Sequence, residues 1–597
     1  MSFRSIRHDI LGVLARPDVQ MVIGLIAIVI FGCLHQFFLT RENPDALYMD
    51  SLRLLAQLDQ WENGSLSTLE FWGQGSSHRG FVNQLLLWVN VSLFDLDVLL
   101  ANRFTGVVIA CVALIITMAW VRDWRDAQAS RHGLLAAGVS VTIAALCYSW
   151  AGFELLTLDL GLPLWIKNLC FLLYFCAHAR LLAGQARPVG LWIAVLAMAA
   201  PCVVLVAGMG WNFAFAGAVT GAQLLAFLPR WRAPGRWAGM LPTISLMISM
   251  ALYVASGKLT DGAVSGDALR IDVQTPLIAL YALGSALGNP HAVVARLPEW
   301  SLMAAGGCIA LAALLVSGLW LRRGAPGSRL PVYLMLYGVL VAISVTLARG
   351  AQGPWGVMAS RYYMDLMLGL IGLIWMAARE APHLRGRFAG TLLVWTMLAG
   401  VAVSQLYTYR YEWGATLFRE HAFQGMRRAI LQSVPDEEAA TLLQSPMAHA
   451  RDGVDVMRTR HLSVFADHPE FQCSGSDVRF GEGWHAAEAQ GRWAGGTADI
   501  TLPGSCNCAF VAELYIPDVF SPRRLEARRD GRIIAQTLLV PGETGGIELG
   551  AAGPTAHVTL TAYPAPDALP GDWGRADEPE LGGLLTSFSV RCELGGQ

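Results

Sequence analysis

The sequence has few charged residues and almost no lysine. Of its 597 residues, 15% are charged and 54% are hydrophobic, and lysine occurs only at Lys167 and Lys258. Soluble chains carry about 25% charged residues, so this shortage excludes an ordinary soluble protein and a disordered one. The formal net charge is −2. Without a basic field, we expect no nucleic-acid partner.

Two kinds of cofactor motif are also missing from the sequence. There is no glycine-rich turn that follows a strand and opens a helix, as in nucleotide-binding sites. No His, Cys, Asp and Glu residues recur at metal-ligand spacing. We therefore predict no cofactor and no resident metal.

Long apolar runs dominate the first two thirds of the chain. A helix needs about 20 apolar residues to cross roughly 30 Å of hydrocarbon, and eleven runs approach this length, which predicts a polytopic α-helical membrane protein. The run at 275–289 is too brief, and we expect it to lie on or dip into the membrane surface. The predicted spans are 20–39, 98–121, 132–149, 164–182, 188–207, 211–228, 237–256, 299–321, 330–348, 362–378 and 388–406.

The arginines predict the orientation of these spans. Cytoplasmic loops are enriched in arginine, and the arginine-rich segments precede the first span or fill alternate loops. We therefore expect a cytoplasmic amino terminus and, after an odd number of spans, an exported carboxyl terminus. The arginines concerned are Arg4, Arg7, Arg16, Arg122, Arg125, Arg230, Arg232, Arg236, Arg322, Arg323, Arg379, Arg385 and Arg387.

The composition changes after Tyr407, which predicts three regions. These are a transmembrane domain at 1–406, a helical linker at 407–470 and an all-β domain, a sandwich or jelly roll, at 471–597. Seven short alternating segments with turn signals between them predict strands in the last region. They lie at 497–502, 508–515, 523–528, 532–539, 546–549, 556–562 and 584–593.

Four cysteines fall in the predicted β domain: Cys473, Cys506, Cys508 and Cys592. In an oxidising compartment they would form disulfides, with three possible pairings. A zinc site is the competing interpretation. The spacing of Cys506 and Cys508 and the lack of a following histidine make it the less favoured one.

The first loop carries candidate catalytic groups. Asp45 and Asp50 follow the first span, and a carboxylate at a membrane surface can act as a general base. Either aspartate could instead cap or order a helix. His78 and Arg79, later in this loop, suit phosphate recognition, although they could equally contact lipid headgroups.

A second loop places arginine where it is usually avoided. Arg349 and Arg361 lie between two predicted spans, on the side from which positive charge is normally excluded. Arg361 begins a helix, where a cation is unfavourable unless an anion is near. Arginine also binds phosphate through a planar fork. We therefore predict a phosphate site here, with a lipid-headgroup anchor as the alternative.

Another short loop contains Glu154 and Asp159, with Lys167 after them. We interpret these three residues as a solvated loop or a local ion pair. They are not candidate site residues.

These features resemble a known superfamily. The long first loop with Asp45-Ala46-Leu47-Tyr48 and the segment from Arg349 to Ser360-Arg361-Tyr362 are similar to those of bacterial glycosyltransferases of the GT-C superfamily. The run from Gly483-Trp484 to Gly491-Arg492-Trp493 resembles the accessory β domain of such enzymes. Many relatives have Asp-Glu in the first loop, whereas alanine follows Asp45 here.

The resemblance implies an inner-membrane enzyme that moves a sugar from a polyprenyl-phosphate carrier to a periplasmic glycan or protein acceptor, with inversion. Asp45 or Asp50 would be the general base, and Asp45 is the preferred candidate. Carrier phosphate would be held by Arg361, Arg349, Tyr362, His78 and Arg79. The alternatives are a transporter or flippase, or an O-antigen polymerase or ligase, acting on lipid-linked saccharides.

Overall fold

A computed structural model describes most of the chain, and contacts divide the chain into two compact units. Unit one comprises Met1–Pro44, Gln60–Val89 and Val98–Glu420, and unit two comprises Asp45–Asp59, Asn90–Asp97 and His421–Gln597. The described residues are 13, 16–73, 82–126, 133–208, 210–228, 231–260, 274–381, 387–431, 436–466, 478–488, 491–502, 509–517, 522–551, 556–564 and 581–591.

The described part of the chain up to residue 466 is mainly helical. In chain order the helices are α1 (Pro17–Glu42), α2 (Asp50–Glu62), α3 (Thr68–Gly73), α4 (Val82–Phe94), α5 (Val98–Asp126), α6 (Gly133–Cys147), α7 (Glu154–Thr157), α8 (Gly161–Leu182), α9 (Val189–Ala207), α10 (Trp211–Leu225), α11 (Met240–Thr260), α12 (Thr275–Ser285), α13 (Pro290–Val294), α14 (Trp300–Arg322), α15 (Leu330–Arg349), α16 (Pro354–Val357), α17 (Tyr363–Glu380), α18 (Arg387–Leu431), α19 (Asp436–Leu442) and α20 (Met447–Thr459).

Eight helical segments in the described residues are long and apolar enough to cross a membrane, so the chain is a multi-pass membrane protein. They are Pro17–Glu42, Val98–Asp126, Gly133–Gly152, Gly161–Leu182, Val189–Ala207, Trp300–Arg322, Leu330–Gln352 and Gly390–Leu431.

Three of the eleven predicted spans are not among these eight. Helices α10, α11 and α17 occupy those segments. However, α10 has only 15 residues, and the apolar part of α11 is Met240–Ser256. Helix α17 carries Asp365, Arg379 and Glu380 within its 18 residues. The count of eleven therefore stays a prediction. The predicted surface segment forms α12, an 11-residue helix.

The end of the first span is determined by two residues. Asn43 adopts the left-handed conformation, with φ of 46°, and its backbone N–H donates to the carbonyl of Leu39. Such a cap satisfies a carbonyl that the helix leaves without a partner, and Pro44 cannot continue the helix. The chain therefore leaves α1 directly after Glu42.

Helices α15 and α17 approach each other closely at two glycines. A Cβ atom added to Gly338 would lie 2.5 Å from the Cα atom of Gly369. This distance is shorter than any allowed contact, so only glycine fits at this crossing. The close packing fixes α17, which follows the Arg361 segment, against α15.

Unit two is discontinuous in sequence. The backbone N–H of Met49 donates to the carbonyl of Leu443 at 2.9 Å, and that of Ser463 donates to the carbonyl of Asp95 at 2.7 Å. A Cβ atom on Gly453 would lie 2.8 Å from that of Leu52, so α20 approaches α2 closely. Parts of the first loop thus pack with the segment that contains Leu443, Gly453 and Ser463.

The carboxyl-terminal part of unit two is all-β. Its ten described strands are β1 (Arg479–Phe480), β2 (Trp484–Glu488), β3 (Gly491–Gly495), β4 (Thr497–Leu502), β5 (Ala509–Tyr515), β6 (Arg523–Arg529), β7 (Arg532–Leu539), β8 (Thr544–Ala551), β9 (Ala556–Pro564) and β10 (Leu581–Arg591). They form two antiparallel sheets of five strands, in the orders β1-β4-β9-β6-β7 and β2-β3-β10-β5-β8.

The all-β prediction is confirmed, although the sheets do not establish a jelly roll. Strands β4 to β10 occupy the seven predicted segments, while β1 to β3 were not predicted. Asp530 and Gly531 connect β6 to β7 with φ of 51° and 77°. Positive φ at both residues is typical of the tight hairpin turn that an Asp-Gly pair favours.

Candidate functional site: a charged cluster

Arg361 is held by a carboxylate from another loop. Its Nη1 atom donates to Glu154 at 3.1 Å, and the hydroxyl of the adjacent Ser360 donates to the other oxygen of Glu154 at 2.9 Å. Glu154 begins the short helix α7, and Arg361 lies in the 3-10 turn Ser360–Tyr362 before α17. One carboxylate therefore fixes the whole Ser360-Arg361 turn.

The electrostatics of this pair keep Arg361 charged and partly accessible. Burial by itself lowers the pKa of Arg361, but the interactions with Glu154 and Tyr362 together outweigh burial and raise the pKa above its usual value. The Arg361 side chain is 37% exposed. A charged guanidinium with exposed surface can bind a second anion.

A second group of charges surrounds Arg419. Its guanidinium donates to Glu42 at 2.8 Å and also to Glu412. Both glutamate side chains are 0% exposed, and that of Arg419 is 14% exposed. The Asn289 side-chain amide donates to Glu412, while its backbone N–H donates to Thr408 at 2.9 Å. Two buried carboxylates thus share one guanidinium.

Phe153 and His291 lie beside the Arg419 group. The guanidinium carbon of Arg419 is 3.8 Å from the ring centre of Phe153, the residue before Glu154. His291 stacks on Trp355 with ring centres 4.7 Å apart. Burial and the nearby charge of Arg419 lower the pKa of His291, so its imidazole is neutral near pH 7.

We call Glu42, Glu154, Asn289, Arg361, Glu412 and Arg419 the charged cluster. Carboxylates can move protons, and guanidinium groups can stabilise a phosphate, so the cluster contains the groups needed for acid-base and phosphate chemistry. Of its members, the sequence predicted only Arg361. Glu42 lies beyond the predicted end of the first span, and Glu412 and Arg419 lie in the predicted linker. One signal was present, since Glu412 and Arg419 are seven residues apart and thus share one face of a helix.

The other arginine-loop candidates occupy different positions. Arg349 ends α15, is exposed and has no ion pair within the described residues. Tyr362 is buried, and the guanidinium carbon of Arg361 lies 5.5 Å from its ring centre. Arg349 is therefore accessible to a ligand, whereas Tyr362 mainly supports Arg361.

The two candidate bases belong to unit two, and their environments differ. Asp45 forms an ion pair with Arg427, and its side chain is 29% exposed. Asp50 is the first residue of α2, is 59% exposed and lies 3.7 Å from Arg53. Asp50 thus has the position of a residue that stabilises a helix start, and Asp45 has the more enclosed carboxylate.

Several predicted residues lie outside the described residues. These are His78 and Arg79, and the four cysteines of the β domain: Cys473, Cys506, Cys508 and Cys592. Their predicted roles stay predictions.

Lys167 has a different partner from the one its sequence position suggested. It is fully buried, and its Nζ atom donates to Asp365 at 2.7 Å. The hydroxyl of Tyr337 donates to the same carboxylate oxygen at 2.6 Å, and Lys167 lies 4.2 Å from the ring centre of Trp211. The interpretation of Lys167 as part of a solvated loop is therefore wrong. Sequence missed the pair because its members are 198 residues apart.

Within the described residues, no group of three or more His, Cys, Asp or Glu side chains is placed to hold a metal ion. No protein family, curated protein or solved structure matches the chain.

Proposed function

We propose that this protein is a glycosyltransferase of the bacterial inner membrane that uses a polyprenyl-phosphate-linked sugar. The amino terminus is cytoplasmic and the β domain periplasmic in this proposal. One observation carries it: Arg361 is anchored by a single carboxylate, remains charged and keeps 37% of its side chain exposed.

The donor side of the reaction requires cations. As the bond between the sugar and the carrier phosphate breaks, negative charge develops on the phosphate, and fixed cations lower the energy of that transition state. Arg361 supplies such a cation on a rigid turn. Arg349 supplies another, and it ends the helix that precedes the same loop.

The acceptor side requires a base. An acceptor hydroxyl oxygen attacks the anomeric carbon, its proton passes to the Asp45 carboxylate, and the carrier phosphate leaves with the bonding electron pair. Direct attack inverts the configuration at the anomeric carbon. Asp45 is preferred to Asp50 because one of its oxygens is anchored by Arg427, whereas Asp50 is exposed at a helix start.

The experiment compares surface glycans and glycoproteins by mass spectrometry in a deletion strain complemented with variants. We expect Arg361→Ala to lower transfer about 10²- to 10³-fold, as loss of one transition-state donor does elsewhere. Arg361→Lys should restore little because an ammonium lacks the planar fork.

Arg410→Ala is the matched control, since Arg410 is an exposed arginine of the same unit with no ion pair within the described residues. Normal glycosylation with Arg361→Ala would contradict the proposal. A product lengthened by whole repeat units, rather than by one sugar, would indicate the polymerase or ligase alternative, which shares the lipid-linked donor.

A second candidate function, transport of a lipid-linked saccharide, is favoured by the buried Lys167–Asp365 pair. Ionisable residues inside membrane proteins often form proton or substrate pathways. Proteoliposomes with a fluorescent lipid-linked saccharide test this function. Movement of the lipid between leaflets without sugar transfer, abolished by Asp365→Asn, would favour the transporter.

A further inference from the structure

Asp45 is bound by a residue that is distant in the sequence. The Nη2 atom of Arg427, in α18, donates to Oδ2 of Asp45, and the two residues are 382 positions apart. Their side chains are 26% and 29% exposed, respectively. The partner of this carboxylate is thus fixed by the fold of unit two and not by neighbouring sequence.

Further contacts hold the backbone around Asp45. The hydroxyl of Ser463 donates to the Asp45 carbonyl at 3.4 Å. The ring of Tyr48 packs edge-on against Phe423, with centres 5.9 Å apart. These contacts order the backbone at Asp45. Arg427 restricts the remaining freedom, which is the rotation of the Asp45 carboxylate.

Two polar atoms of these side chains take no part in the ion pair. Oδ1 of Asp45 and Nε of Arg427 are both buried without a hydrogen-bond partner within the described part of the chain. One is an acceptor and the other a donor. A hydroxyl group has a proton to donate and lone pairs to accept, so it complements both atoms.

We infer that Arg427 is a positioning residue for Asp45, an inference that rests on the proposed function. Arg427 anchors Oδ2 and so leaves Oδ1 as the oxygen that receives the proton of the acceptor hydroxyl. A general base must lie within hydrogen-bond reach of that proton, and small misplacements reduce rates strongly. The carboxyl-terminal part of α18 therefore contributes directly to the catalytic arrangement.

The chain offers a matched control pair. Arg460 and Asp59 also form an ion pair in unit two, at 2.5 Å, with both side chains 29% exposed. This pair also joins the first loop to a later part of unit two, because Arg460 directly follows α20. Removing the Arg460 guanidinium should destabilise unit two about as much as removing that of Arg427. It should leave the hydrogen bond between Arg427 and Asp45 intact.

The first test measures the accessibility of Asp45 and needs no donor substrate. Full-length protein in detergent is labelled with a carbodiimide and glycine ethyl ester, and labelling of Asp45 is quantified by mass spectrometry. We expect Arg427→Met to increase Asp45 labelling roughly tenfold, because a charge-assisted hydrogen bond is lost. Arg460→Met should leave it near the wild-type level. Equal labelling of Asp45 in wild type and Arg427→Met, or an equal increase with Arg460→Met, would overturn the inference.

The second test separates positioning from a purely structural role. With acceptor varied, Arg427→Met should lower kcat by a factor of about 10 to 100 and change KM little. Arg427→Lys should recover part of kcat, since it retains the charge but not the fork. A normal kcat for Arg427→Met would overturn the inference. Absence of sugar transfer by the wild type would refute the proposed function, while the labelling result would still decide the Arg427–Asp45 coupling.

Discussion

Replacing Lys167 by methionine removes the cation from an ion pair that solvent does not reach. Both side chains are 0% exposed, and Nζ lies 2.7 Å from the carboxylate. Removing one partner of a buried pair costs about 3–5 kcal/mol, because the remaining charge is left uncompensated. The Tyr337 hydroxyl donates to Asp365 both before and after the substitution. This hydrogen bond therefore does not compensate for the lost cation. We expect Lys167→Met to lower the free energy of unfolding by about that amount.

A double-mutant cycle tests the cause of the effect. Lys167→Met combined with Asp365→Asn leaves no charge, and the asparagine oxygen can still accept from Tyr337. We therefore expect the double variant to be more stable than Lys167→Met alone, with a coupling of about 2–4 kcal/mol between the two sites.

The measurement is reversible unfolding in mixed micelles, followed by tryptophan fluorescence. Leu173→Ala in the same helix is the control, since Leu173 is exposed by 50% and should matter little. An unchanged free energy of unfolding for Lys167→Met would refute the electrostatic reasoning. A double variant whose loss of unfolding free energy equals the sum of the two single losses would also refute it.

Three further outcomes follow from the described contacts. Arg419→Met should lower the free energy of unfolding by about 3–5 kcal/mol, because two buried glutamates lose their shared cation. Size-exclusion profiles should show less monodisperse protein for Arg419→Met than for Arg419→Lys. Hydrogen bonds from Ser67 lower the pKa of Glu70 in the folded protein. This helix cap therefore contributes stability at pH values above the pKa of the unfolded chain, and that stability is lost as the pH falls through the lowered pKa. A lower amide protection factor at Ser67–Glu70 in acid would confirm this, whereas a pH-independent protection factor would contradict it. Gly338→Leu should destabilise the protein by more than about 1–3 kcal/mol through overpacking, whereas Gly307→Leu, with no atom near its Cβ position, should have little effect on the thermal midpoint.

The β domain shows what local sequence can predict. Strands β4 to β10 were predicted from alternating segments of the sequence and from turn residues such as Asp530 and Gly531, and both signals are local. Strands β1 to β3 lack them, because β1 has two residues and β3 contains Gly491 and Gly495. Their place in the sheets depends on pairing with β4 and β10.

The charged groups show what local sequence cannot predict. The sequence identified Arg361 as unusual because arginine is rare on the predicted outer face. It did not identify Glu154 as its partner, which is 207 residues away. Asp365 was included in an apolar run, and nothing near it in the sequence indicates Lys167. Such pairs are defined by helix packing, and a single sequence contains no record of that packing.

The discontinuity of unit two has a consequence for synthesis. Asp45 is translated 382 residues before Arg427, and chains grow by about 5–20 residues per second. The first loop therefore emerges roughly 20–80 s before the residue that holds it. During that interval the first loop lacks the partners that it has in the folded protein. A chain truncated before α18 would lack the residues that hold this loop. The first loop and the helices from α18 onwards therefore have to be expressed and engineered together.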